Sequence, residues 1–234
     1  MPVAVPPLPP RRALADDVYD AVLGLLMDHA VEPGSRVSIE GVSRQLQVSP
    51  TPVREALARL ESEGLVSKSA GKGYRAADLL DADGLRQLYE IRILLETEGA
   101  RLAASRVTPE KLHELARLLD ASVETIDHNS PDDERYASYR AFAEQDAEFH
   151  RLIVEDAGNP LISDAVVRLR SHMHLYRLYF RHGIAAETAQ EHAQILTALR
   201  SRNPEAARVA MHDHIERSYT RLADGISVAR PVSA

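Results

Sequence analysis

The sequence predicts a mainly α-helical protein, with an N-terminal winged helix-turn-helix followed by an all-α antiparallel bundle of about six helices. Three observations lead there. The composition is rich in Ala, Leu, Arg and Glu, with 5% aromatic residues and no Trp, a makeup that favours helices. Residues 48–66, VSPTPVREALARLESEGLV, trace one capped helix that runs into a strand. Beyond residue 83 the alternation of a strand is absent, and breakers recur about one helix length apart.

In chain order, residues 1–10, MPVAVPPLPP, lack the apolar segment of a signal peptide and read as a flexible arm. Residues 11–30 form a first helix with Leu14, Val18, Val22 and Leu25 as its inner stripe, ended by Glu32-Pro33-Gly34. Val37-Ser38-Ile39 is a short extended entry. Residues 39–47 follow as a short amphipathic helix with Val42 and Leu46 inward. In 48–66, Ser49 or Thr51 can cap, and Pro50 and Pro52 suit a first helical turn. Val53, Leu57 and Leu60 make its buried stripe, and Gly64 stands at its C-terminus. The tight turn between these two helices makes a helix-turn-helix unit. The run Ala70-Gly71-Lys72-Gly73-Tyr74 has the makeup of a hairpin wing. The winged unit spans 11–77. Asp78 to Asp83 is a connector whose acids can cap the next helix. Six helices then cover about 82–105, 109–129, 133–157, 160–182, 185–201 and 204–226, with breakers or caps at Thr108-Pro109, Asn129-Ser130-Pro131, Gly158-Asn159-Pro160, Gly183 and Asn203-Pro204. Their short connections imply an antiparallel bundle. Residues 227–234 are a loose tail.

Charge separates the two parts. The chain carries −7 overall; residues 1–77 hold nine Lys/Arg against nine Asp/Glu, so the whole −7 falls on 78–234. Within 36–75 there are seven bases and four acids, a balance of +3. Positive charge is thus focused on the winged unit, and the acidic remainder repels a polyanion and helps orient the protein on it. Thr51, Arg54 and Glu55 point away from the apolar stripe. Short hydroxyls and a guanidinium at the exposed start of such a helix suit phosphates and guanine edges in a major groove. Ser49, Thr51 and Arg54 are the candidate DNA contacts there, with Lys72 as a phosphate contact from the wing. No stretch approaches the roughly 20 apolar residues of a membrane span. The absence of Cys rules out disulfides and Cys-ligated zinc and fits a cytoplasmic protein.

Residues 11–77 resemble the DNA-binding domain of the GntR family of bacterial transcription regulators. The tokens are Pro33-Gly34, SPTPVREAL at 49–57, Arg59-Leu60 and Glu63-Gly64-Leu65-Val66. Family members often carry Arg where this chain has Glu40, and Arg after the Ser where it has Pro50. Arg36 and Arg44 are then the candidate substitutes in phosphate binding. The remainder is similar to the all-helical FCD effector domain of the FadR-like subfamily, through LYEIR at 88–92 with Glu96, Asp146-x-x-Phe149-His150-x-x-Ile153, Gly158-Asn159-Pro160-Leu161, Glu191-His192 with Ile195-Leu196 and Ala198-Leu199, and the run to His214. The resemblance implies a homodimer joined mainly through the helical domain and a short inverted repeat of double-stranded DNA as operator.

Polar residues on apolar stripes carry the rest. The stripe Tyr139, Phe142, Asp146, Phe149-His150, Ile153 sets Asp146 and His150 at i and i+4, on adjacent turns facing inward. Ala189, His192, Ile195-Leu196 and Leu199 place His192 inward, and Ala207, Met211 and His214 do the same for His214. Taken singly, an inward His is more often a hydrogen-bonded core residue than a ligand, and Asp146 with His150 reads equally as a buried hydrogen bond. Many FCD domains hold a metal with an Asp and three His at matching places. That resemblance makes Asp146, His150, His192 and His214 the candidate ligands of one divalent cation. Oxygen and nitrogen donors without sulfur suit Zn²⁺, Ni²⁺, Mn²⁺ or Fe²⁺. His172 is the rival. Arg92 lies on the stripe Leu85, Leu88, Leu95, Gly99; it is either an ion pair with Glu96 one turn on, or a bidentate clamp for the carboxylate of a small effector.

The expectation is therefore a DNA-binding transcription regulator, not an enzyme, whose operator affinity is controlled by a small organic acid at a metal site in residues 78–226. Two alternatives stand beside it. In one the bundle is only a dimerisation module with an inert His-rich core. In the other the chain is a helical metal-dependent hydrolase, for which no further carboxylate or His stands as a general base.

Overall fold

The first apolar run folds as α1, Leu14–Met27, in a computed structural model that describes residues 14–69, 73–128, 136–169, 171, 174, 175, 177 and 185–229. Asp16 and Asp17 sit in its first turn, where a helix N-terminus favours negative charge. Its buried face is Val18, Tyr19, Val22, Leu23, Leu26 and Met27. The predicted stripe is half right: Leu14 is exposed and Leu25 only partly covered. The covered positions come as adjacent pairs, 18/19, 22/23 and 26/27, so the face meeting the core is rotated from the one drawn through Leu14 and Leu25. The helix also stops before residue 30, because His29 takes a left-handed φ of 54°.

The winged unit follows as β1 (Arg36–Val37), α2 (Ile39–Leu46), α3 (Pro50–Ser62), β2 (Val66–Ser69) and β3 (Gly73–Ala76). Ser38 caps α2, its hydroxyl accepting from the Gly41 N–H at 3.1 Å. Ser49 stands at the N-cap of α3 with Pro50 and Pro52 in the first turn, and its hydroxyl makes no capping bond. Gly64 ends α3 with φ +75°. The Leu65 N–H returns to the Leu60 carbonyl at 2.9 Å and the Gly64 N–H to Glu61 at 3.0 Å, the double bond that turns a chain out of a helix. Val53, Ala56, Leu57 and Leu60 of α3 are buried, and α3 packs on α1. The sheet has the order β1-β3-β2, all antiparallel, with Val37 opposite Tyr74 and Val66 opposite Ala76 on its buried face. Arg36, Arg75 and Ser67 line up on the other face.

Residues beyond 78 supply α4 (Ala82–Ala104), α5 (Pro109–His128), α6 (Tyr136–Glu155), α7 (Pro160–Leu169), α8 (Ala185–Arg200) and α9 (Pro204–Ala229). The starts follow local chemistry. Asp81 caps α4 by accepting from the Gly84 N–H at 2.8 Å. Pro opens α5, α7 and α9, where its missing N–H costs nothing. Asn203 receives the Ala206 N–H at 3.0 Å. The helix predicted over 160–182 is helical over Pro160–Leu169 and at 171, 174, 175 and 177; its other positions lie outside the described residues. The tail predicted from 227 begins later, since α9 runs to Ala229. Gly225 lies inside it, and one Gly costs a helix only about 1 kcal/mol.

The chain divides into two units, Met1–Asp78 and Leu79–Ala234. In the second, α4 and α9 pack along each other, α5 lies on α6 and α8, and α6 and α7 cover α4. The core is built from Leu85, Tyr89, Leu115, Phe149, Leu152, Ile153, Ile195, Leu199, Met211 and Ile215. Gly99 lets α4 approach α6: a Cβ there would lie 2.9 Å from Val154. Among the described residues no helix is long and apolar enough to cross a membrane.

Candidate metal centre and nucleic-acid face

Three helices of the second unit each contribute one inward imidazole. His150 comes from α6, His192 from α8 and His214 from α9. All three are buried, and one ring nitrogen from each lies within 4.8 Å of the others. Packing fixes the rings: His192 stacks on Phe149 at 4.1 Å and 9°. The Nε2 atoms of His150 and His214 are 3.2 Å apart.

Carboxylates lie behind two of the three rings. The Nδ1 of His214 is 2.8 Å from Glu191 Oε2. The Nδ1 of His150 is 2.5 Å from Glu96 Oε2; the two are strongly coupled, although the contact is not aligned as a good hydrogen bond. Each carboxylate is met by an arginine. Arg92 donates from Nε to Glu96 at 2.7 Å, and Arg221 donates from both terminal nitrogens to Glu191 at 2.7 and 3.0 Å. Burial alone would raise the Glu191 carboxyl, but hydrogen bonds from His214 and Arg221 outweigh it and hold it at about 2. Burial opposes ionisation of Glu96 too, and Arg92 and His150 override it, so Glu96 sits well below the usual carboxylate range.

The histidines move the same way. Burial, then the neighbouring His214 and His150, push His192 well below its ordinary value. Burial lowers His214 as well, against the opposing hydrogen bond it donates to Glu191. Both are neutral at pH 7, the state a metal ligand requires. With Glu191 ionised, the facing Nδ1 of His214 carries the hydrogen, which leaves the lone pair on its Nε2. That nitrogen faces His150 Nε2 at 3.2 Å. His192 Nε2 is buried without a hydrogen-bond partner, and Asp146 Oδ1, at 3.5 Å, is too distant to be one. The donor set fits a cation.

Of the four predicted ligands, the fold thus draws three histidines into one cluster and sets Asp146 at its edge, 3.5 Å from His192. Asp146, His150 and Arg92 line a cavity of about 240 Å³ with Val166, Ser171 and Leu175 among its other walls. Both readings of Arg92 are compatible with this placement, since it pairs with Glu96 and also lines the cavity. His172, the rival ligand, lies outside the described residues, and His212 points outward, 41% exposed beside Asp213. The sequence reading missed the partners of the rings. Glu96 had a signal, one turn beyond Arg92 on the same face. Arg221 had one also, two turns beyond His214. Glu191 had none, because adjacent residues on a helix point about 100° apart.

A pH dependence follows for the metal-free protein. His192 and His214 are lowered in the fold, so below the unfolded value of about 6.5 the unfolded chain takes up protons that the fold refuses. Stability should be full above pH 6.5 and fall as pH drops, by up to about 1.4 kcal/mol per pH unit for each histidine. Below about pH 4.5 the lowered Glu96 and Glu191 add to the loss. Denaturant unfolding at pH 7.5 and 5.5 in chelator checks it; equal stabilities at the two values would contradict the burial of neutral imidazoles.

In the first unit, Arg36, Arg44, Ser49, Thr51 and Arg54 are all exposed. Glu40 lies near two of them. Its carboxyl is lowered by its own backbone N–H and by Ser38, with smaller contributions from Arg36 and Arg54. Arg59 is occupied structurally: it stands 3.9 Å over the Tyr19 ring and 3.4 Å from both Glu63 and Asp16. The buried Glu63 also accepts from the Tyr19 hydroxyl at 2.6 Å. Arg75, exposed opposite Arg36, is a further cation on this unit that the sequence reading did not single out. Lys72 lies outside the described residues.

Two family models match the chain, "Bacterial regulatory proteins, gntR family" over residues 14–75 and "FCD domain" over 87–217. The Nta operon transcriptional regulator of Aminobacter aminovorans is 28% identical over 204 residues, 86% of this chain and 90% of that protein. The HTH-type transcriptional repressor NanR of Salmonella newport is 25% identical over 233 residues, 88% of this chain and 84% of that protein. Among solved structures, E. coli McbR/YncC matches with a TM-score of 0.68 at 22% identity, over 92% of this chain and 99% of that one. A putative transcriptional regulator GntR from Rhodococcus sp. RHA1 matches at 0.66 and 20%, over 93% and 99%. The two structural likenesses show the fold.

Proposed function

The chain belongs to the GntR family of bacterial regulatory proteins, with an FCD domain as its second half, and from that premise we propose that a small organic acid, bound beside a divalent cation in the helical unit, controls its affinity for DNA. It is a transcription regulator, and the families and named relatives it matches are regulators, not enzymes. The observation that carries the proposal is the cluster of three buried imidazoles, with two Nε2 atoms 3.2 Å apart and a third buried without a hydrogen bond. A cation among the three rings would satisfy these nitrogens together, and a buried polar atom left without a partner is costly.

In this reading His150, His192 and His214, with Asp146 at the edge, hold a Zn²⁺, Ni²⁺, Mn²⁺ or Fe²⁺ ion. The ion supplies a positive centre for an oxygen ligand. Arg92 offers a second anchor for a carboxylate, and the cavity of about 240 Å³ suits a small acid. The effector acts by binding one arrangement of the dimer better than another, which is what a shift in DNA affinity requires. Residues 11–77 contact the DNA, with Ser49, Thr51 and Arg54 at base edges and Arg36, Arg44 and Lys72 at phosphates. Residues 78–226 bind effector and join the homodimer, which acts on cytoplasmic DNA.

Selection of bound duplexes from a random pool tests the DNA part of this proposal. A two-fold dimer should enrich a short inverted repeat, since protein symmetry is mirrored in the site. Enrichment of an asymmetric sequence, or of none, would refute the assembly proposed.

A further inference from the structure

Resting on the cation site proposed above, we infer that Glu96 and Glu191 are its positioning residues, each fixing one histidine with its proton on Nδ1 so that both Nε2 lone pairs face the same point, and that Arg92 and Arg221 hold these two carboxylates in register. The bundle contains the same chain of contacts twice. In one copy Arg92 donates to Glu96 at 2.7 Å and Glu96 lies 2.5 Å from His150 Nδ1, close but not aligned as a hydrogen bond. In the other Arg221 donates to Glu191 at 2.7 and 3.0 Å and Glu191 lies 2.8 Å from His214 Nδ1. Both carboxylates are buried, Glu96 to 1% and Glu191 to 5% exposure.

The chemistry of the groups gives the chain its direction. An ionised carboxylate can only accept, so the imidazole nitrogen facing it carries the hydrogen. A neutral imidazole has one such hydrogen, so the opposite nitrogen is left as a donor to a cation. Without the carboxylate, the ring is free to carry its proton on Nε2, where it blocks coordination. Such outer partners typically change metal affinity by about 10–100-fold. The carboxylates in turn need a counter-charge, because an unpaired buried ion is strongly unfavourable. The arginines supply it.

The two copies differ at the arginine. Arg221 grips Glu191 with both terminal nitrogens and does not line the cavity. Arg92 grips Glu96 through Nε and does line it. Of the two arginines, Arg92 is therefore the one that faces an anion in the cavity.

The test uses full-length, untagged, metal-free protein and two readouts. Long-range ¹H–¹⁵N correlation of the imidazoles reports the tautomer, and titration with Zn²⁺ reports affinity. In the wild type His150 and His214 should carry the proton on Nδ1; an Nε2 proton on either overturns the inference without any variant being made. Glu191→Asp and Glu96→Asp keep the charge beside each arginine but draw it one methylene back from the ring. Each should weaken Zn²⁺ binding about 10–100-fold and add the Nε2-protonated form of its own histidine. Unchanged affinity in both variants, beside a wild type that binds, overturns the positioning role and leaves the cation site standing. A wild type that takes up no Zn²⁺ overturns both.

Discussion

Replacing His214 with alanine should empty the bundle of its cation and lower the unfolding temperature of metal-loaded protein by on the order of 10 °C. A ligand held at about a thousand times its Kd stabilises the fold by about 4 kcal/mol, and each kcal/mol is worth about 2–4 °C in a domain of this size. His214 is 3% exposed and sits 3.2 Å from His150, so its loss removes one donor and leaves Glu191 facing a void. The winged unit contains none of the ligands, so DNA binding should survive while the response to effector is lost. Chelator should lower the wild type's unfolding temperature in the same direction and leave the variant's unchanged. A variant that melts with the wild type in both conditions would show the histidines to be ordinary core.

Arg54→Ala should cost about 1–3 kcal/mol of operator binding, a fall of roughly 5- to 150-fold, and relax the preference for one base position. The fold should be unaffected, because Arg54 is exposed on the side of α3 away from Val53, Leu57 and Leu60. Anisotropy titrations on the selected operator and on a scrambled duplex separate the outcomes. A uniform loss on both would make Arg54 a phosphate contact, and equal wild-type and variant affinities would remove it from the interface.

Much of this architecture was legible in the sequence because it is local. The stop at Gly64 needs only a residue tolerant of positive φ, and the starts at Asp81, Pro109, Pro160 and Pro204 need only a cap or a Pro. The inward side of α6 followed from the 3.6-residue period, which placed Phe142, Phe149, His150 and Ile153 on the buried face. The stripe of α1 was misjudged because two nearly equal apolar faces compete there, and only packing against α3 chooses between them. What the period cannot give is distance across the bundle. Glu96 and His150 are 54 positions apart in sequence and meet only because α4 packs on α6. Asp146 shares its face with His150, yet it sits at the cavity rather than within the cluster of rings, and no spacing rule separates those two fates.

Elemental analysis of untagged wild-type protein, first as purified without chelator and then after dialysis against Zn²⁺, Ni²⁺ or Mn²⁺, measures the cation itself. One divalent ion per chain is the predicted result, with less than a tenth of that in a His150→Ala/His214→Ala double variant treated identically. A wild type at background after every dialysis, or a double variant that loads a full ion, would contradict it.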